Sequence, residues 1–153
     1  ASDGVDGRAG RRLTMRVTLS ADAKRFMRLF AEATDINPRD CLVADDRVVF
    51  VIPADEMADA IGPDGHTVER VEEKLGREIE LIADADTPAA FVESTLAPAA
   101  VRGVTISEQG DRIAYVEVVE ADRGIAIGSD GRRIETARRL AERHYEIDDI
   151  QLT

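Results

Sequence analysis

Ala60-Ile61-Gly62-Pro63-Asp64-Gly65 recurs 66 residues further on as Ala126-Ile127-Gly128-Ser129-Asp130-Gly131, and matching glutamates follow at Glu69 and Glu135. Each copy follows a short apolar-acidic segment and opens a longer helical pattern. Glycines at this spacing let the backbone turn sharply between two helices and approach another molecule, because no Cβ stands in the way. The first turn of the following helix presents unpaired N–H groups, which favour an anion such as phosphate. One Gly-x-x-Gly is usually only a turn. Two in register, in the same setting of elements, mark an internal repeat, and a repeat of this period decides the fold.

The pattern around the loops gives the order of elements. Ser20 is placed to cap a helix with Asp22 in its first turn, and Phe26, Leu29, Phe30 and Ala33 form one apolar stripe. Asn37-Pro38 ends that helix near Asp35. Cys41–Ala44 and Arg47–Ile52 read as a hairpin turning at Asp45-Asp46. A short helix over Asp55–Ile61, the first glycine loop, a helix over Thr67–Leu75 ended by Gly76, and a strand over Glu78–Ile82 follow. The same order then returns. Thr87-Pro88 caps a helix over Ala89–Leu96, and strands are expected at Val104–Ser107 and Ile113–Val119. A short helix over Asp122–Ile127, the second loop, a helix over Arg132–Arg143 and a strand over Ile147–Leu152 complete it. The fold class is α+β, with a disordered extension over residues 1–14 and two modules at 15–84 and 87–153. A role for Arg8, Arg11 and Arg12 as an RNA-touching arm is the alternative to a plain tail.

Composition narrows the function. The chain of 153 residues carries 31 acidic and 20 basic residues, a formal charge of −11, and Lys24 and Lys74 are its only lysines. Abundant aspartate with almost no lysine resembles the proteins of salt-loving microbes. An acidic chain is expected to avoid nucleic acid, but in molar salt the screening length falls to about 3 Å, so local contacts decide. No run approaches the roughly 18 apolar residues of a membrane span, and no secretory signal is seen. The single Cys41 excludes an internal disulfide and fits a reducing interior. A monomer in the cytoplasm, without membrane contact, is expected. No Ser–His–Asp setting, no two-histidine metal cluster and no Walker or Rossmann glycine pattern is present, so no catalysis, cofactor or metal is expected.

With the loops and the order of elements in view, the chain resembles a pair of type II KH domains. More closely it resembles the archaeal NusA family, across Met15–Thr153. The residues that carry the likeness are Met57–Gly65 and Val71–Leu81 in the first half. In the second they are Leu96–Ala99, Arg123–Arg132 and Arg143–Ile150. The resemblance implies two tandem modules, each a three-stranded mixed sheet covered on one face by three helices. It also implies RNA binding in transcription elongation, termination or antitermination. In such modules the glycine loop clamps a single-stranded backbone, and the groove beside it reads about four nucleotides. Bacterial relatives carry a polymerase-binding domain and an RNA-binding barrel ahead of the KH pair, and 153 residues leave no room for either.

The candidate RNA-binding residues are Ile61, Gly62, Pro63, Asp64, Gly65 and His66 at the first loop, and Ile127, Gly128, Ser129, Asp130 and Gly131 at the second, with Arg132, Arg133, Arg139 and Arg143 behind it. The family usually has a basic or amide residue between the glycines; here Asp64 and Asp130 set a carboxylate where phosphate approaches. Arg132, Arg139 and Arg143 fall on one helical face, and arginine suits phosphate through its fork of donors. Residues 15–86 hold 17 acids and 9 bases, whereas 87–153 hold 12 and 8, so charge favours the second module. Ile61 and Ile127 are expected in the core with one exposed edge, or else as an apolar floor under a base. Two other readings stay open. One is an adaptor that has lost RNA binding and contacts RNA polymerase or other transcription or translation components. The other is a KH-bearing, ribosome-associated RNA chaperone.

Overall fold

The computed structural model describes residues 20–153. The expected extension over residues 1–14, its three arginines and residues 15–19 lie outside them. The chain divides after Ile82 into two units.

In the first unit, α1 (Ala21–Thr34) begins where the Ser20 hydroxyl accepts the Ala23 N–H at 3.0 Å. It ends at Asp35, which turns left-handed with φ 60° ahead of Asn37-Pro38. β1 (Asp40–Val43) and β2 (Arg47–Ile52) pair antiparallel with Cys41 opposite Phe50. A tight turn over Ala54–Glu56 leads into α2 (Met57–Ile61). The glycine loop then delivers α3 (His66–Leu75), which Gly76 ends at φ 71°, and β3 (Glu78–Ala83) completes a sheet of order β1-β2-β3. Phe30 and Phe50 meet at 4.6 Å between ring centroids inside a core that also takes Ile52, Ala60 and Val71. Each fully buried large side chain there contributes about 1.5–3 kcal/mol.

All six residues of the central strand β2 are buried. Val48, Phe50 and Ile52 join the helix-side core, yet Val49 and Val51 are equally buried. Arg47 is only 3% exposed; its Nε donates to Glu80 of β3 at 2.9 Å and its Nη1 to Asp46 at 3.1 Å.

In the second unit, the Thr87 hydroxyl accepts the Ala90 N–H at 3.2 Å and Pro88 takes the first position of α4 (Pro88–Leu96). β4 (Val101–Ser107) pairs antiparallel with β5 (Ile113–Val118), and β5 pairs parallel with β6 (Asp149–Leu152), so Tyr115 lies between Thr105 and Gln151. β4 starts three residues before the expected Val104. A shift of register between Val101 and Gly103 interrupts the alternation there, and glycine in a strand often marks such a bulge. Between the strands lie α5 (Arg123–Ile127), the second loop and α6 (Arg132–Tyr145).

One face of this second sheet is covered. Ala114, Val116 and Ile150 pack with Val92 and Leu96 of α4, Ala126 of α5 and Ala137 of α6, while Tyr115 and Glu117 stay exposed. At the corner after α6, Tyr145 packs 5.4 Å from the Phe91 ring and donates its hydroxyl to the Ala85 carbonyl at 2.6 Å. Burial, and then the charges of Asp84 and Asp86, push its pKa above the usual phenol value.

Candidate functional site

The two glycine loops have nearly the same backbone. Gly62 and Gly128 stop α2 and α5 at φ/ψ 77°/170° and 81°/172°, a region that only glycine enters readily. Asp64 and Asp130 then turn left-handed at 54°/27° and 55°/27°, followed by Gly65 and Gly131 at 75°/14° and 75°/12°. A hydrogen bond of 3.1 Å from the second glycine's N–H to the first glycine's carbonyl closes each turn. Aspartate tolerates the left-handed region better than most residues, because its short side chain bonds locally. Its presence in both loops thus has a backbone reason, beside the electrostatic cost that its exposed carboxylate carries.

The first glycine of each loop is also a point of close packing. A Cβ on Gly62 would strike Thr67 Oγ1, and one on Gly128 would lie 2.8 Å from the Arg133 backbone nitrogen and 2.9 Å from its Cβ. Gly131 has nothing within 4 Å of such a Cβ, so there only the dihedral demands glycine. No side chain caps α3 or α6; the first N–H of each, at His66 and Arg132, bonds the carbonyl of Pro63 and of Ser129. The loops differ at one donor. Pro63 has no N–H, whereas Ser129 keeps one and adds an exposed hydroxyl.

Ile61 and Ile127 are 40% and 39% exposed, so the edge expected to be exposed is a large one. The neighbouring alanines explain it: Ala60 and Ala126 are fully buried, and one residue on a helix turns the next side chain by about 100°. Ile125, which the sequence did not single out, is 41% exposed on the same short helix. Its counterpart in the first unit, at the same 66-residue offset, is Asp59. That apolar-for-acidic exchange was the signal available in the sequence.

The charged residues sort differently than spacing alone implies. His66 is exposed at the first position of α3. Arg132, Arg139 and Arg143 are half-buried along α6. Arg133 instead donates Nη1 to the Ile125 carbonyl at 3.0 Å. Arg138 is held by Asp149 at 2.9 Å and by the Ile150 carbonyl at 3.1 Å. Around the end of α3, Glu69, Glu72, Glu73 and Glu78 line a cleft with Gly76 and Arg77. Arg77 Nη1 donates to the Ala44 carbonyl, and Glu72 accepts the Ile79 N–H. Among the described residues no group of three His, Cys, Asp or Glu is arranged to hold a metal, and no helix is long and apolar enough to cross a membrane.

Comparison with known proteins places this geometry. A family model described as the NusA-like second KH domain matches residues 88–153. A probable transcription termination protein NusA of Halococcus morrhuae is 57% identical over 138 residues, covering 90% of this chain and 99% of that protein. The chain belongs to the archaeal NusA family. A second NusA relative, from Halobacterium salinarum, is 50% identical over 139 residues, 91% of this chain and 100% of its own length. The acidic, lysine-poor composition accords with the halophilic archaea that supply both. The crystal structure of APE1850 is 22% identical, covers 88% of this chain and 100% of its own, and superposes with a TM-score of 0.77, a shared fold.

Proposed function

We propose that this NusA-family chain is a transcription-associated, single-stranded RNA-binding factor built from two tandem type II KH modules, at 15–84 and 87–153. It acts in termination or antitermination, in the cytoplasm, as a monomer without catalysis. The loop Gly128–Gly131 takes the sugar-phosphate backbone on the Ser129 and Asp130 amides and on the Ser129 hydroxyl. Arg132, Arg139 and Arg143 add positive charge along α6, and Ile127 supports a base. The loop Gly62–Gly65 contributes less, having lost a donor at Pro63 and facing a glutamate-rich α3. The single observation that carries this reading is the pairing of an exposed Ile127 with the uncapped start of α6 across one glycine loop. The NusA names of the relatives agree with it.

The test is a fluorescence-anisotropy titration of labelled oligouridine in molar potassium chloride. Saturable binding, weakened when Arg132 and Arg139 become alanine, is the expected result; no binding by the folded protein overturns the proposal. A second reading, an adaptor that contacts RNA polymerase or translation components, is favoured by the exposed carboxylates of Asp64 and Asp130. It gains if polymerase subunits co-purify with the chain after ribonuclease treatment.

A further inference from the structure

We infer that Arg133 is a positioning residue that holds the second loop ready for its ligand, and that the first loop has no equivalent. This rests on the RNA-binding reading above. The Arg133 Nη1 donates to the carbonyl of Ile125 at 3.0 Å. Ile125 lies in the last turn of a five-residue helix, whose terminal carbonyls have no partners of their own within the helix. The guanidinium therefore ties the first turn of α6 back across the loop to the end of α5. The backbone nitrogen and Cβ of the same residue lie so close to Gly128 that a Cβ added there would meet them at 2.8 and 2.9 Å. Arg133 thereby fixes the spacing between the two helix ends, one carrying the exposed Ile127 and the other opening α6.

In the first unit the residue at the same offset is Thr67. It packs on Gly62 in the same way, but its side chain is too short to bridge the loop as an arginine does. A pre-ordered loop gives up less entropy when it binds, so the brace gains affinity without touching RNA. The advantage of the second loop is then partly one of order, beyond its better charge.

Two readouts on the full chain separate bracing from phosphate contact. Amide exchange at Gly128, measured without RNA, reports the order of the loop. The dependence of oligouridine affinity on salt counts phosphate contacts, at about 0.7 in log–log slope for each one on a single strand. Arg133→Ala is expected to speed Gly128 exchange several-fold and to weaken binding about fivefold with the slope unchanged. Arg132→Ala is expected to lower the slope by about 0.7 and leave the exchange alone. Thr67→Arg, which installs the brace in the first loop, is expected to slow exchange at Gly62, and it decides the matter if the Arg133 variant does not fold. Unchanged Gly128 exchange in Arg133→Ala, a slope lowered by about 0.7 in that variant, or no slowing in Thr67→Arg overturns the inference. Faster exchange in a chain that binds no oligouridine upholds the brace and defeats the RNA reading instead.

Discussion

Replacing Gly128 by alanine is expected to cost far more than replacing Gly131, although both are glycines of one loop. At Gly128 the φ/ψ pair of 81°/172° lies where side chains are strained by about 1–3 kcal/mol. The new Cβ would also fall 2.8 Å from the Arg133 backbone nitrogen, a neighbour that cannot swing aside, and such overpacking adds about 1–3 kcal/mol. The sum is about 4 kcal/mol, most of the stability that a unit of this size is expected to have. At Gly131 the φ is 75° and nothing lies within 4 Å, so only the left-handed cost of about 1–2 kcal/mol applies. With a urea slope of about 1–1.5 kcal/mol/M, the two midpoints should differ by about 2 M. The assay is selective, because the chain has two tyrosines, Tyr115 and Tyr145, and no tryptophan. Both tyrosines lie in the second unit, so tyrosine fluorescence follows its unfolding alone. Equal midpoints, or a larger loss for Gly131→Ala, would refute the packing argument.

Three further outcomes are expected. Asp130→Asn keeps a residue suited to the left-handed turn and removes a charge about 6 Å from an incoming phosphate. Oligouridine affinity should rise about threefold in dilute salt, and the gain should shrink in molar potassium chloride. Ile127→Ser should change stability by less than about 1 kcal/mol, since the side chain is 39% exposed, while weakening binding about tenfold; Ile61→Ser should weaken it less than threefold. Arg47→Met leaves Glu80 without its buried partner and should cost roughly 3 kcal/mol in thermal or urea unfolding, with RNA affinity unchanged once the chain is folded.

The order of elements was legible because its signals are local. Ser20 and Thr87 cap helices through their own hydroxyls, Gly76 ends α3, and the stripe of Phe26 and Phe30 faces the core. What escaped the sequence depends on geometry across the chain. The start of β4 was hidden because the bulge at Val101–Gly103 breaks the alternation that announces a strand. The extent to which Ile61 and Ile127 are exposed was hidden because a five-residue helix is too short for its period to show which side chain faces in. Arg133 looked like its neighbour Arg132, and only the folded loop sets its guanidinium against the Ile125 carbonyl. Arg138 belonged to the same run, yet β6 brings Asp149 to it from the far end of the unit.

Whether RNA lies on the second loop is decided most directly by photocrosslinking a 4-thiouridine-labelled oligonucleotide to the whole chain in molar potassium chloride, then mapping the modified peptides. Crosslinks concentrated between Ile125 and Arg143, with few at residues 61–66, are the predicted result. Crosslinks confined to the first unit, or none from a folded and correctly labelled sample, would contradict the account.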